Sequence, residues 1–455
     1  MFLILASMLF YGYGNWKFLF LLCADCLINY WISCYLIADR KAKKGVLAIG
    51  ILINIGLLFY YKYTGFFIAN INQVFHTRFI SKELIMPLGI SFFTFQQIAF
   101  LVNSYKGELP LSLYRVSGFP DYILYVLYFP KILMGPIVEP GVLIPQFSDK
   151  SRKQVNPENL IRGIKLFNYG LFKKLILCDT FNAAVAWGSA NLDAATSMDL
   201  IIVMLCYAFV VYFDFSGYCD MAAGVSLMLN IDLPVNFDSP FKSLSIREFW
   251  GRWHITLGKF FIKYIYIPLG GSRKGKLRTY FNIMVVFFVT GFWHGATWTM
   301  IIWGLFHGVF TCMDRALGKK AQGIHPAARW LGMFLTTCLL RLLFIVDTIP
   351  KWGEVLGKIF SFQSTWVSWG LIDTFNTADS TLIFDLFHLT SVNEMVRGLS
   401  LFVFMVVGFI ICLVPENNIK RKFSNSAASI IPAIILFVWA MLSLGSESAF
   451  RYFNF

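Results

Sequence analysis

Two histidines stand where lipid or tightly packed helices are expected. His294 lies in TGFWHGATW (290–298), within an apolar run, and His254 lies in REFWGRWHITLGKF (247–260). An ionisable side chain at membrane depth is costly and usually faces the protein interior or a water-filled cavity. An enclosed imidazole tends to stay neutral, and a neutral imidazole can accept a proton, as a general base must near neutral pH. The competing reading is a hydrogen-bonded packing residue. Gly291 and Gly295 flank His294 four residues apart, a spacing that lets another backbone approach a helix closely, and Trp293 and Trp298 supply bulky walls. Helix packing alone would account for the glycines equally well. Of the six histidines, His76, His325 and His388 fall in polar or loop-like surroundings, and His307 reads as a packing or interfacial residue.

Other chemistry-bearing residues form weaker patterns. Asp214 and Asp220 lie in YFDFSGYCD and are six apart, so on one helix they do not share a face. They are expected to order a polar network or to mark a broken helix at Gly217 rather than to catalyse. GGSRKGKL (270–277) fits G-x-x-x-x-G-K, but Leu277 stands where a phosphate-binding loop needs Ser or Thr for magnesium. A nucleotide-hydrolysis site is therefore excluded, although Arg273 and Lys274 there, with Arg252, are candidates for holding a phosphate-bearing donor. Neither a G-x-S-x-G elbow nor an H-E-x-x-H helix is present, against an internal serine hydrolase or zinc protease. The nine cysteines are scattered; Cys23 and Cys26 lack the second pair that a structural zinc site needs. The chain closes on FRYFNF, whose rings suit a membrane interface. Its Tyr452 carries an oxygen that becomes nucleophilic beside a base.

The elements that must position these residues follow from composition. The 455 residues are 57% hydrophobic and 14% charged, against about a quarter charged in soluble domains. Apolar runs long enough to cross a bilayer recur at 3–21, 23–38, 45–61, 84–103, 121–137, 166–187, 199–213, 279–293, 296–313, 328–347, 398–414 and 428–446. Backbone groups in lipid must be satisfied within the segment. The expected class is therefore all-α, a polytopic transmembrane helical bundle of about 10–12 spans with re-entrant or interfacial helices. Unbroken runs argue against a membrane β-barrel. The first run is followed at once by another and is expected to be a retained span rather than a cleaved signal. No repeat or low-complexity linker divides the chain, so 1–455 is expected to be one membrane domain, with the motif-bearing core at 87–310 and an aromatic tail at 448–455.

The net charge of +14 would suggest nucleic acid in a soluble protein. Here the basic residues collect in short loops between spans, which is the positive-inside bias, and nucleic acid is not expected as a partner. Arg40 to Lys44, Lys150 to Lys153, Lys259 to Arg278 and Lys420 to Lys422 should face the cytoplasm, and the C-terminus should lie outside. The stretch 363–397 reads as outer or interfacial, and 259–278 as amphipathic helices at the cytoplasmic face.

Five stretches together resemble the membrane-bound O-acyltransferase family, in its bacterial alginate O-acetyltransferase-like branch. They are PLGISFFTFQQIAFLVNSYKG (87–107), YFPKILMGPI (128–137), DFSGYCDMAAGVSLMLNIDLPVNFDSPF (214–241), SIREFWGRWHITLGKFFIKYIYIPLGGSRKG (245–275) and GFWHGATWTMIIWGLFHG (291–308). Members usually carry a further apolar segment before the stretch that here reads ILASMLFYGYGNW, close to the start of this chain. The resemblance implies a funnel through the membrane around a central histidine, which His294 matches, with His254 matching the family's second histidine. It implies transfer of an acyl group from a cytoplasmic thioester to the outer side, for O-acetylation of a cell-surface or secreted, alginate-like polysaccharide, with acetyl-CoA as expected co-substrate. It also implies an extracytoplasmic transferase as partner, an acyl-CoA or acyl-carrier protein on the inner side, and a bacterial inner-membrane location. Tyr452 matches the tyrosine of a C-terminal aromatic motif that relays the acyl group in related systems.

The expected reaction has His294 as base, His254 at the thioester end or oxyanion, and Tyr452 as first acceptor. A competing reading is D-alanyl transfer to teichoic acid from a carrier-protein thioester. A transporter or flippase is a third, weakened by the lack of an internal repeat. A thioester is already activated, so no ATP site is required.

Overall fold

Apolar segments that cannot hydrogen-bond to lipid close their own backbones into helices. The computed structural model, which describes residues 1–38, 43–82, 84–377, 393–420 and 430–445, is helical, with no strand among those residues. In chain order the helices that matter here are α1 (Phe2–Gly14), α2 (Trp16–Ala38), α3 (Lys43–Lys62), α4 (Thr64–Phe75), α5 (Ile90–Lys106), α6 (Phe119–Leu127), α7 (Pro140–Ser148), α8 (Pro157–Phe172), α9 (Asp179–Ala190) and α10 (Ser197–Met228). They continue as α11 (Ile246–Arg252), α12 (Ile255–Phe261), α13 (Lys276–His294), α14 (Trp298–Leu317), α15 (Pro326–Arg341), α16 (Ile349–Ser361), α17 (Trp369–Asp373), α18 (Asn393–Leu413) and α19 (Ile431–Leu442). Among the described residues, four helical segments, Trp16–Ala38, Lys43–Lys62, Ser197–Met228 and Pro326–Phe344, are long and apolar enough to cross a membrane.

Several expected boundaries move for local reasons. The run at 121–137 is helical only as far as Leu127, because Pro130 follows and the chain turns through 128–134. The run at 199–213 continues to Met228, and α10 passes unbroken through Gly217. Gly217 does not mark a broken helix. A Cβ there would lie 2.8 Å from the carbonyl oxygen of Gly170, so the missing side chain admits the facing α8 backbone.

Internal contacts divide the chain into two compact units, residues 1–164 with 222–234, and residues 165–221 with 235–455. In the first, α2, α3 and α5 pack around a polar network. Asp25 accepts from Gln97 at 2.9 Å, Gln97 accepts from the Tyr122 hydroxyl at 2.6 Å, and Asn29 and Asn54 bond to each other. Lys131 is fully buried, bonds Gln96 at 2.7 Å and lies 4.8 Å from the ring centre of Tyr125.

In the second unit, a π-helical turn at Lys173–Cys178 follows α8. It presents Lys173 to Asp220 at 2.7 Å and Lys174 to Asp214 at 3.0 Å. The carboxylates of one helix, six residues apart, are thus taken up by neighbouring lysines of another. Paired charges are what burial at this depth requires.

Candidate functional site

His254 is positioned by a break between two short helices. Ser245 caps α11 by accepting from the Glu248 backbone N–H at 3.1 Å, while Glu248 accepts from Leu244 N–H at 2.9 Å. This reciprocal pattern fixes where α11 begins. The helix ends at Arg252, and α12 starts after His254, whose backbone is left-handed at φ 45°. That conformation is unfavourable for a residue with a Cβ. Asn236 holds it in place: its backbone oxygen accepts from Ile255 N–H at 2.9 Å, and its Oδ1 accepts from Thr256 N–H at 3.2 Å.

The same Asn236 Oδ1 lies 3.2 Å from Nδ1 of His254. A backbone N–H donates to that atom, so it is the amide oxygen and not the nitrogen. His254 therefore donates from Nδ1, and its neutral ring keeps the lone pair on Nε2. The imidazole is 1% exposed and packs against Phe215 at 4.7 Å and Trp293 at 6.2 Å between ring centres.

His294 closes the last turn of α13, and Thr297 caps α14 by accepting from Met300 N–H at 3.3 Å. The two helices form a hairpin whose arms meet at glycines. A Cβ on Gly304 would lie 2.3 Å from the carbonyl oxygen of Phe287, and one on Gly291 would lie 2.4 Å from that of Met300. This close approach places His294 beside residues of α14. Its ring centre is 4.9 Å from Trp293, 5.0 Å from Trp303 and 6.0 Å from Phe344.

Two cavities adjoin these histidines. The larger, about 340 Å³, is mainly apolar; His254, Gly258 and Thr290 line it, with Arg247 and Arg315. Both arginines are exposed, and neither has a carboxylate partner among the described residues. The smaller, about 20 Å³, is lined by His294, His307, Trp303 and Arg341. Trp250 lines both. Its indole N–H donates to Nδ1 of His307 at 3.2 Å, which leaves a neutral His307 with its proton on Nε2. His254 and His307 thus hold opposite tautomers. No group of three or more His, Cys, Asp or Glu residues is spaced to hold a metal among the described residues.

By sequence His307 reads as a packing residue; the hairpin brings it into the cavity of His294. Asn236, Arg247, Arg315 and Arg341 carry no motif that singles them out. The one signal for Asn236 is its place in the PVNF segment shortly before the histidine motif. Arg252 does not line either cavity. It pairs with Glu248 at 3.0 Å and donates to the backbone oxygen of Asp238 at 3.2 Å, which ties α11 to the preceding extended segment. Arg273 and Lys274 are exposed on the turn after Gly270 and Gly271 and also line neither cavity. Tyr452 and the 448–455 tail lie outside the described residues.

Residues 51–346 match the model of the membrane-bound O-acyltransferase family. A peptidoglycan O-acetyltransferase of Helicobacter pylori is 35% identical over all of this chain and 91% of its own length. A probable alginate O-acetylase of Pseudomonas aeruginosa is 33% identical over 80% of this chain and 70% of its own. A teichoic acid D-alanyltransferase of Bacillus subtilis is 29% identical over 68% of this chain and 79% of its own. With helices that can cross a membrane and two buried histidines beside adjoining cavities, these likenesses make the chain a multi-pass member of the membrane-bound O-acyltransferase family, and an acyltransferase.

Proposed function

We propose that the protein transfers an acetyl group from cytoplasmic acetyl-CoA toward a cell-wall glycan, with His294 as the base. The observation that carries the reading is the pair of cavities on either side of Trp250. The larger is lined by the cationic side chains of Arg247 and Arg315 as well as by His254, a lining whose chemistry suits a phosphate-bearing thioester with a slender arm. Arg315 lies at the end of α14 that leads into Lys319 and Lys320, the cytoplasmic side by the positive-inside bias. These two arginines replace Arg252, Arg273 and Lys274 as the proposed donor contacts.

In the reaction, an acceptor hydroxyl oxygen attacks the thioester carbonyl carbon as His294 takes its proton. The C–O bond forms and the carbonyl electron pair moves to oxygen. The intermediate collapses, the C–S bond breaks, and the thiolate recovers the proton from His294. The C-terminal turn of α13 presents backbone carbonyls, whose dipoles stabilise the positive charge that His294 gains. The lone pair on Nε2 of His254 suits it to accept a hydrogen bond from an amide N–H of the donor's arm. Holding both reactants in one site removes most of the entropy cost of the encounter, worth up to ~7–11 kcal/mol in ideal cases.

Peptidoglycan is favoured over alginate as the final acceptor, because the likeness to the Helicobacter pylori peptidoglycan O-acetyltransferase spans this whole chain. Tyr452 is the proposed first acceptor, with an extracytoplasmic transferase carrying acetyl onward. Mass spectrometry of the C-terminal peptide from membranes given acetyl-CoA tests both. Acetyl on Tyr452 that vanishes in His294→Ala supports the relay and the donor. A D-alanyl adduct would instead support the teichoic acid reading. An unmodified tail, with wall acetylation still dependent on His294, would remove Tyr452 alone.

A further inference from the structure

Arg341 ends α15 and is 6% exposed. Its guanidinium carbon lies 4.3 Å from the ring centre of Trp253, 5.3 Å from Phe241 and 5.7 Å from Phe249. Among the described residues its one hydrogen bond runs from Nη1 to the backbone oxygen of Ala208, at 3.2 Å. A guanidinium carries five N–H donors, so most are unused. Buried cations are ordinarily paired, because an uncompensated charge in a low-dielectric interior is expensive. Lys173 and Lys174 of the same unit follow that rule with Asp220 and Asp214. Arg341 has no carboxylate partner among the described residues. Aromatic faces offset part of its desolvation, and it lines the small cavity together with His294 and His307.

A buried cation lining a small cavity with the proposed base is matched to negative charge that arrives only during the reaction. Preorganised donors aimed at developing charge are commonly the largest single contribution to catalysis. The cavity of about 20 Å³ holds one water-sized group, comparable to a carbonyl oxygen or the methyl of an acetyl group. A D-alanyl group is larger and carries an ammonium, which would stand against the guanidinium in a low dielectric.

Resting on the acyl-transfer function proposed for this site, we propose that Arg341 receives the acyl carbonyl oxygen as it becomes an oxyanion, and that its charge confines the site to acyl groups without an ammonium. As the hydroxyl oxygen bonds to the carbonyl carbon, the displaced electron pair settles on the oxygen facing Arg341, and the hydroxyl proton passes to His294. When the pair returns, the C–S bond breaks and the thiolate takes that proton.

The test uses membranes that hold the full chain together with its extracytoplasmic transferase and wall glycan strands, supplied with acetyl-CoA or D-alanyl-CoA and followed by thiol release and acyl-glycan formation. Arg341→Met is expected to lower kcat for acetyl about a hundredfold or more, with KM for acetyl-CoA little changed, and to raise the ratio of D-alanyl to acetyl transfer. Arg341→Lys, which keeps the charge without the planar fork, should fall between the two and retain the acetyl preference. If Arg341→Met does not elute as folded protein, Arg341→Lys decides. A reduced kcat at unchanged KM and melting temperature supports the proposal, and an unchanged kcat overturns it. An Arg341→Met variant with wild-type kcat, or with lost activity tracking lost thermal stability in both variants, also overturns it. A wild type that releases no thiol from acetyl-CoA overturns the acetyl-CoA donor itself; with an active wild type, the variants test Arg341 alone.

Discussion

Asn236 and His254 share a 3.2 Å hydrogen bond that fixes which ring nitrogen carries the proton. Because Asn236 also clamps the two backbone N–H groups that follow the left-handed turn, those of Ile255 and Thr256, tautomer and ring position are set by one residue. Asn236→Ala is expected to slow acyl transfer roughly tenfold or more while the protein remains folded in detergent. Activity equal to wild type in a steady-state assay would show that His254 needs no fixed tautomer.

His294→Ala should lower transfer by on the order of 10²–10⁴, the usual contribution of a positioned base, at unchanged expression. Preserved thioester-dependent transfer in purified protein would remove His294 from the chemistry. Thioester-independent movement of a glycan precursor would move the protein toward a transporter.

The proposed donor contacts make a different kind of prediction. Arg315→Gln and Arg247→Gln are expected to raise KM for acetyl-CoA several-fold with little effect on kcat, and to weaken its dependence on salt, since exposed charge pairs are screened. Arg273→Gln, on an exposed turn away from the cavity, should leave KM unchanged. A reversed pattern would return the donor to the glycine-rich loop.

Lys174 and Asp214 are 2% and 1% exposed at the side chain and 3.0 Å apart. Lys174→Met alone is expected to cost roughly 3–5 kcal/mol by stranding the carboxylate. The double variant Lys174→Met with Asp214→Asn should recover part of the loss in a thermal melt. No recovery would mean that the pair stabilises through packing rather than charge.

Gly304 faces the carbonyl oxygen of Phe287 too closely for any side chain. Gly304→Val should push α13 and α14 apart, destabilise by about 1–3 kcal/mol or more, and lower transfer even though neither histidine changes. Unaltered melting and activity would contradict the tight hairpin.

The helical class, several apolar helices and the burial of His254 and His294 are legible because they rest on local signals: apolar run length, loop charge and compact motifs. GFWHGATW also announces the glycine contact, although the partner backbone belongs to Gly304, thirteen residues further along. His307 becomes a neighbour of His294 only because the turn at 295–297 reverses the chain. Arg341 is hidden for a related reason. It lies far from the quoted motifs, in LLRLLF, where a lone arginine beside leucines looks like a span boundary. Its stacking on Trp253 exists only in three dimensions. The proposed donor contacts, Arg247 and Arg315, are obscured by density of charge: the 270–277 loop has more lysine and arginine, but none of it lines either cavity beside the histidines.

Trp250 has a consequence for the living membrane. Transfer from a cytoplasmic donor to an outer acceptor, as proposed above, would put the chain at risk of becoming a pore, through which protons would run down their gradient. The indole borders both cavities and is held by its bond to His307. With the ring in place, acyl transfer and electrical insulation are compatible. Trimmed to Ala, the same position would merge the two spaces, and vesicles bearing that variant are expected to lose an imposed pH difference faster than those bearing the parent protein.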